Sequence, residues 1–143
     1  MSIKQLKQYE NMATQSGVVD ANPHRLIQML MEGALEKIAK AKGFLQRENV
    51  EAKGAHITWA IRIIQGLRDS LDMDKGADLS ERLDGLYEYM IFRLVEANAE
   101  NSIEKLDEVT SLMANVKEGW DGIADEAKQI FSNSQPRQAF ASV

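Results

Sequence analysis

The feature that most constrains this chain is an apolar pattern with the period of an α-helix, repeated in four long segments. Steps of three and four residues place side chains on one helix face, whereas a half-buried strand alternates every two residues. In the first segment these steps cover an arc of roughly 180°, wider than an ordinary core-facing stripe. Its members are Leu26, Ile27, Leu30, Met31, Ala34, Leu35, Ile38, Ala41 and Leu45. Because only two prolines interrupt the 143 residues, the chain is predicted to be all-α.

Polar residues suited to capping precede each segment. Asn22 stands before Pro23, whose fixed φ suits the first position of a helix. Asp78, with Glu81 three residues later, forms an acidic version of the capping box. The predicted caps are Asn22, Asn49, Asp78, and either Asn101 or Ser102. The predicted helices cover about 23–47, 50–71, 79–100 and 103–120, and the last extends further if Ile123, Ala127 and Phe131 continue its stripe.

Short connections between long amphipathic helices favour antiparallel neighbours. The expected fold is an antiparallel up-and-down four-helix bundle with a short additional N-terminal helix, which a weak apolar pattern at Ile3, Leu6 and Tyr9 indicates. Three regions are expected along the chain. They are a mobile N-terminal segment or cap at 1–20, a helical bundle domain at 21–131, and a flexible tail at 132–143.

Composition excludes several classes of protein. The absence of cysteine removes disulfide scaffolds, thiolate zinc sites and thiol nucleophiles, and it fits a reducing compartment. A net charge of -5, with 17 basic residues scattered among 22 acidic ones, argues against a nucleic-acid partner. No stretch approaches the roughly 20 apolar residues that span a bilayer, and no apolar run typical of a secretory signal follows the first residues. We expect a soluble cytosolic protein without membrane insertion.

The two histidines are the candidates for catalysis, and neither belongs to a metal-ligand motif. His24 falls in the first turn of the first helix, where a solvated or capping role is expected. His56 leaves one alternative open, a histidine phosphotransfer-type four-helix bundle. Such domains typically place a lysine and a glycine just after the histidine, whereas Ile57, Thr58 and Trp59 follow here. We expect no enzyme activity, no metal and no cofactor.

Apolar side chains in excess of the core point to a binding surface. Met29, Trp59, Tyr89 and Phe92 fall outside the predicted core arcs of their helices. Methionine adapts its shape, and aromatic rings give contact area at a low entropic cost, so these residue types line helix-binding grooves. The alternatives are a thick core or the face of a helical homodimeric structural protein.

Four blocks of sequence resemble one protein family. The first is NPHRLIQML at 22–30 with EGAL at 32–35, and the second, in the middle helix, is AI at 60–61 with II at 63–64. The third is LYEYM at 86–90 with RL at 93–94 and EAN at 96–98, and the last is VKEGW at 116–120. In order and spacing these blocks, within about residues 9–123, resemble the FliS family of flagellin export chaperones.

The resemblance implies a cytoplasmic chaperone that binds newly made flagellin until the flagellar type III secretion apparatus exports it, without a cofactor. In the family, the disordered C-terminal segment of flagellin wraps the bundle and partly folds on it, which prevents premature polymerisation. Other flagellar export or regulatory proteins are further candidate partners. The chain itself is expected to be a monomer or a weak homodimer.

The expected partner-binding residues combine the resemblance with the surplus apolar positions. They are Leu6, Tyr9, Met29, Met31, Trp59, Ile63 and Tyr89. In the family the N-terminal segment lies over part of the groove, and Tyr9 matches its tyrosine, so we expect residues 1–16 to cap the groove. Trp59 and Ile63 are expected to line the groove together. Met31 stands where a tyrosine is frequent in the family.

Overall fold

The computed structural model describes residues 22–72 and 77–123, which form four α-helices. They are α1 Pro23–Gln46, α2 Val50–Asp69, α3 Ala77–Glu100 and α4 Ile103–Gly122. Within these two ranges there is no strand. The all-α fold predicted from the apolar period is confirmed.

The four helices pack in a ring, in which α1 and α3 each contact α2 and α4. Contacts between helix ends show that neighbours are antiparallel. His24 at the start of α1 bonds to Trp120 near the end of α4, and Lys53 near the start of α2 bonds to Asn98 near the end of α3. We call the end where 47–49 and 101–102 connect the helices the closed end. The opposite end, where α1 and α3 begin and α2 and α4 end, is the groove end.

Three of the four predicted caps are confirmed. The side chains of Asn22, Asn49 and Ser102 accept hydrogen bonds from backbone N–H groups three residues later. The cap predicted at Asp78 is wrong, because α3 begins at Ala77 and Asp78 lies inside its first turn. A carboxylate is favourable in the first turn as well as at the cap, since both positions face the positive end of the helix dipole.

The core is a single cluster with side chains from all four helices. Its fully buried large residues include Ile27, Leu30, Met31, Ile38, Ile57, Ile63, Ile64, Leu67, Tyr87, Met90, Leu94 and Leu106. Burying an aliphatic side chain of this size contributes about 1.5–3 kcal/mol to folding. The same burial raises the pKa of the Tyr87 phenol, because the charged phenolate is disfavoured away from water.

Several expectations lie outside the described residues. They concern the N-terminal helix with Leu6 and Tyr9, the continuation of the last helix to Ala127 and Phe131, and the tail at 132–143. In the ranges that the structure describes, none of the helices has the length and apolar character needed to cross a bilayer.

Candidate partner-binding groove

An apolar groove of about 290 Å³ opens at the groove end of the bundle. All four helices or the residues that follow them contribute to its walls. The lining residues are Ile27, Met31, Ser70, Leu71, Leu79, Leu83, Tyr87, Asn115, Val116, Gly119, Trp120 and Ile123. Apart from Ser70 and Asn115, these side chains are predominantly apolar, so the groove suits an apolar ligand surface.

The sizes of the side chains that α3 and α4 contribute explain why the groove is open. Leu79, in the first turn of α3, lines the groove and remains 62% exposed, so the bundle does not cover it. Gly119 lines the α4 side, and nothing lies within 4 Å of the position that a Cβ would occupy there. A large uncovered side chain on one helix and a missing side chain on the other leave apolar space for a partner.

A buried pair of rings forms the α1–α4 side of the groove end. The rings of His24 and Trp120 stack with centroids 4.7 Å apart and planes inclined by 7°. His24 Nε2 lies 2.7 Å from the Trp120 carbonyl oxygen, and Trp120 Nε1 donates to the His24 carbonyl oxygen at 3.0 Å. The expectation of a solvated His24 is wrong, because the residue is buried with 3% exposure, and its contact is with a carbonyl in the last turn of α4 rather than with its own helix. Its partner is 96 residues away in the sequence, so no local pattern indicates the contact.

Polar residues surround this ring pair. Gln28 Nε2 donates to Asp121 Oδ1 at 2.6 Å, and Lys117 Nζ donates to Asp121 Oδ2 at 2.7 Å. These hydrogen bonds, above all the one from Lys117, lower the pKa of the Asp121 carboxyl group. Lys117 also lies 3.8 Å from Glu32 on α1. These polar contacts link α1 to α4 near the groove end, and their residues are not part of the groove lining.

Of the five predicted site residues that the structure describes, one lies in the groove wall. Met31 lines the groove, although most of its side chain is buried in the core. Tyr89 is exposed on α3, outside the groove lining, and its hydroxyl donates to Glu108 Oε2 at 2.7 Å. This hydrogen bond is the main reason that the pKa of Tyr89 is raised. Met29 is partly buried on α1 and does not line the groove.

Trp59 and Ile63 do not share one surface. Trp59 is 47% exposed, and Lys37 Nζ lies 3.8 Å from the centroid of its ring. Ile63 is fully buried in the core. Ile63 therefore does not lie open beside Trp59 in this structure, and its contact with a partner stays a prediction. The two residues are one helical turn apart on α2, and they differ in how far the bundle covers them. Exposure of Trp59, Tyr89 and Phe92 outside the core is as predicted.

The sequence pattern assigned most groove residues to the core stripe. The helical period includes Leu79, Leu83, Val116 and Trp120. The period alone does not show where the apolar face of one helix extends beyond the helices that pack against it. Two signals are present in the sequence, namely Leu79 beside a predicted helix start and Gly119 inside the stripe of the last helix.

Several known proteins are similar to this chain in sequence. A family model described as Flagellar protein FliS matches residues 5–127. The flagellar secretion chaperone FliSB of Pseudomonas aeruginosa is 53% identical over 86% of this chain and 98% of its own length. This chain belongs to the FliS family. Flagellar secretion chaperones FliS from Salmonella typhimurium and Vibrio cholerae are 40% and 36% identical, over 85% of this chain and 91% and 89% of their own lengths.

FliS membership accounts for the four blocks of sequence and covers all of α1 to α4. The alternative of a phosphotransfer bundle rested on His56, whose Nδ1 lies 2.8 Å from the Ala52 carbonyl oxygen. Its ring contacts the rings of Phe44 and Trp59 and is partly buried. In residues 22–72 and 77–123 there is no group of three or more metal-ligating side chains. Among the described residues, the apolar groove is the best candidate for a partner-binding site.

Proposed function

We propose that this FliS-family chain is a cytoplasmic flagellar export chaperone that binds the disordered C-terminal segment of flagellin. By holding that segment it prevents premature polymerisation and assists delivery to the flagellar type III secretion apparatus. The observation that carries the proposal is the open apolar groove at the groove end, lined by Leu79, Leu83 and Val116. The chain performs no chemical step in this role and needs no cofactor.

The groove suits an amphipathic segment that becomes ordered on binding. Its apolar walls can take one face of a helix, which is the helix-in-groove mode of recognition. A segment that polymerises through its apolar face is protected when that face is buried in the chaperone. Ordering a disordered segment offsets part of the gross binding energy, so the affinity is moderate and reversible. Release at the export apparatus requires such reversibility.

The predicted contacts beyond the groove fit a segment that wraps the bundle. We propose Tyr89 on α3 and Trp59 on α2 as exposed contacts away from the groove, with Met29 at the edge of α1. Met31 contributes from the groove wall. Ile63 lies fully buried in the core, one helical turn from Trp59, so its proposed role is to support that turn of α2 from inside the bundle.

The N-terminal segment is proposed to cap the groove in the free protein. The position of Asn22, the first described residue, at the groove end supports this proposal. If Leu6 and Tyr9 occupy the site, flagellin must displace them, and the apparent dissociation constant rises by the inverse of the competent fraction. A chain that starts at Gly17 should then bind flagellin more tightly, by up to about tenfold. A clear loss of affinity would contradict the cap and indicate direct contact by Tyr9.

Isothermal titration calorimetry with the C-terminal flagellin peptide tests the proposed function. We expect one peptide per chain and a negative heat-capacity change, because apolar surface is buried. A peptide of the same composition in scrambled order is the control. No detectable binding at tens of micromolar peptide would contradict the proposal.

A further inference from the structure

The contact between His24 and Trp120 joins the start of α1 to the end of α4. Trp120 lines the groove and is 9% exposed, whereas His24 is 3% exposed and does not line the groove. The two rings stack almost in parallel at 4.7 Å. His24 therefore supports the groove-lining indole by stacking against its ring.

Two reciprocal hydrogen bonds fix the ring pair in addition to the stacking. A backbone carbonyl oxygen can only accept, so His24 Nε2 must carry the hydrogen that it shares with the Trp120 oxygen at 2.7 Å. The Trp120 carbonyl belongs to the last turn of α4, and it also accepts a hydrogen bond from the backbone N–H of Ile123 at 3.3 Å. In return, the indole Nε1 donates to the His24 carbonyl oxygen at 3.0 Å. Stacking sets the inclination of the indole, and the hydrogen bonds set its rotation within the ring plane.

Alternative indole orientations are disfavoured by this arrangement. A buried indole N–H without a partner is costly, because it loses its hydrogen bond to water. If the His24 ring were absent, the indole could turn into the groove or away from it, and the shape of the apolar wall would change. We infer that His24 is a positioning residue, which holds the indole of Trp120 as a groove wall and thereby sets the affinity for the partner. This inference rests on the proposed function.

Three substitutions separate the contributions of His24. His24→Ala removes both the stacking and the donor. His24→Phe keeps a ring but has no donor, and His24→Gln keeps an amide donor but has no ring. Lys53→Met is the matched control, because Lys53 lies at the closed end and its substitution destabilises the bundle without touching the groove. Affinity for the flagellin peptide is measured for each variant well below its unfolding temperature.

A second measurement follows Trp120 itself. Hydrogen exchange of the indole N–H groups is recorded by NMR, with Trp59→Phe used only to assign the two signals. In the wild-type chain the Trp120 signal should be protected, because its N–H is buried and bonded. In His24→Ala we expect the protection to fall by at least tenfold and the peptide affinity to fall by about tenfold. His24→Gln and His24→Phe should each restore part of both losses.

The outcomes distinguish the inference from the proposed function. A wild-type chain that fails to bind the peptide overturns the proposed function, and the predicted effect on affinity falls with it. If the wild type binds and His24→Ala binds within twofold of it, only the inference is overturned. An equal loss of affinity in Lys53→Met also overturns it, because general destabilisation would then be the cause. Unchanged indole protection in His24→Ala would show that Trp120 does not depend on His24.

Discussion

The two ends of the bundle differ in how they are completed. At the closed end, the Lys53 side chain is 2% exposed, and its ammonium donates to the Asn98 carbonyl oxygen at 2.9 Å and to Asn101 Oδ1 at 2.7 Å. Asn101 adopts a left-handed φ of 54°, and the N–H of Ser102 bonds back to the carbonyl of Ala97 at 3.0 Å. At the groove end, apolar side chains such as that of Leu79 stay uncovered.

Under the proposed function, this difference lets one bundle combine stability with binding. Polar groups at the closed end find their partners within the chain, so that end offers a second molecule little to bind. The groove end also has polar groups that bond within the chain, such as those of His24 and Trp120. Its apolar groove, however, is left open by the described residues. A concave apolar surface is the usual form of a binding site, which is why the proposed function places the partner at this end. Stability and recognition should therefore respond to different substitutions.

The largest expected effects separate the core from the outer surface of α2. Ile63→Ala should lower the free energy of unfolding by about 2–5 kcal/mol, because it opens a cavity in the core. Trp59→Ala should leave the fold intact and weaken flagellin binding by about 1–3 kcal/mol, as for other aromatic interface residues. Urea unfolding and calorimetry measure the two quantities. Equal affinity with reduced stability in Trp59→Ala would confine the binding surface to the groove end.

A substitution at the closed end should affect stability alone. Lys53→Met keeps the aliphatic stem but removes the ammonium group from the Asn98 carbonyl and Asn101. Leaving these acceptors without their donor should cost about 1–3 kcal/mol of unfolding free energy. The affinity for the flagellin peptide should stay unchanged at temperatures where the variant is folded. A weaker complex would mean that the two ends are coupled.

Filling the groove should weaken binding without destabilising the fold. Gly119→Leu places a side chain in the open space on α4, and we expect about tenfold weaker peptide binding, or about 1.4 kcal/mol. Gly85→Leu is the matched control, because Gly85 is an exposed helical glycine with nothing within 4 Å of its Cβ position and does not line the groove. Both substitutions should raise helix stability by up to about 1 kcal/mol. Equal binding by both variants would contradict the groove as the flagellin site.

The smallest expected effect is the loss of the stability contribution of Asp121 at acidic pH. The pKa of Asp121 is lowered, mainly by its hydrogen bond with Lys117. Its ionised form therefore stabilises the groove end above the unfolded pKa of about 3.9, and this contribution is lost as the pH falls through the lower folded pKa. Asp121→Asn should be slightly less stable than the wild type at pH 7, and the difference should vanish in acid. Thermal unfolding across this pH range measures it, and a difference independent of pH would show that the charge has no role.

The closed-end contacts of Lys53 should not share this dependence, since the Asn98 carbonyl and the Asn101 amide do not titrate. The difference in stability between wild type and Lys53→Met should therefore stay constant over the same acidic range. A difference that falls in acid would show that a carboxylate contributes to the Lys53 site.

Local features of the sequence determined the helices and most of their starts. The apolar period reports which face of each helix is buried, because it depends only on residues one turn apart. The cap bonds of Asn22, Asn49 and Ser102 span three residues, so they too can be predicted from short stretches. The FliS resemblance of the blocks at 22–35 and 86–98 was likewise readable in the sequence, and the family comparison confirms it.

Only the tertiary structure decided how the four helices are rotated and offset against one another. A buried lysine at position 53, a buried His24 stacked on Trp120, and the boundary between Trp59 and Ile63 all depend on this arrangement. The period of a helix limits its buried face to a broad arc, and neighbours far away in the sequence determine which edge of that arc is covered. The groove exists because Leu79, Val116 and Gly119 meet where neighbouring helices no longer cover the apolar face.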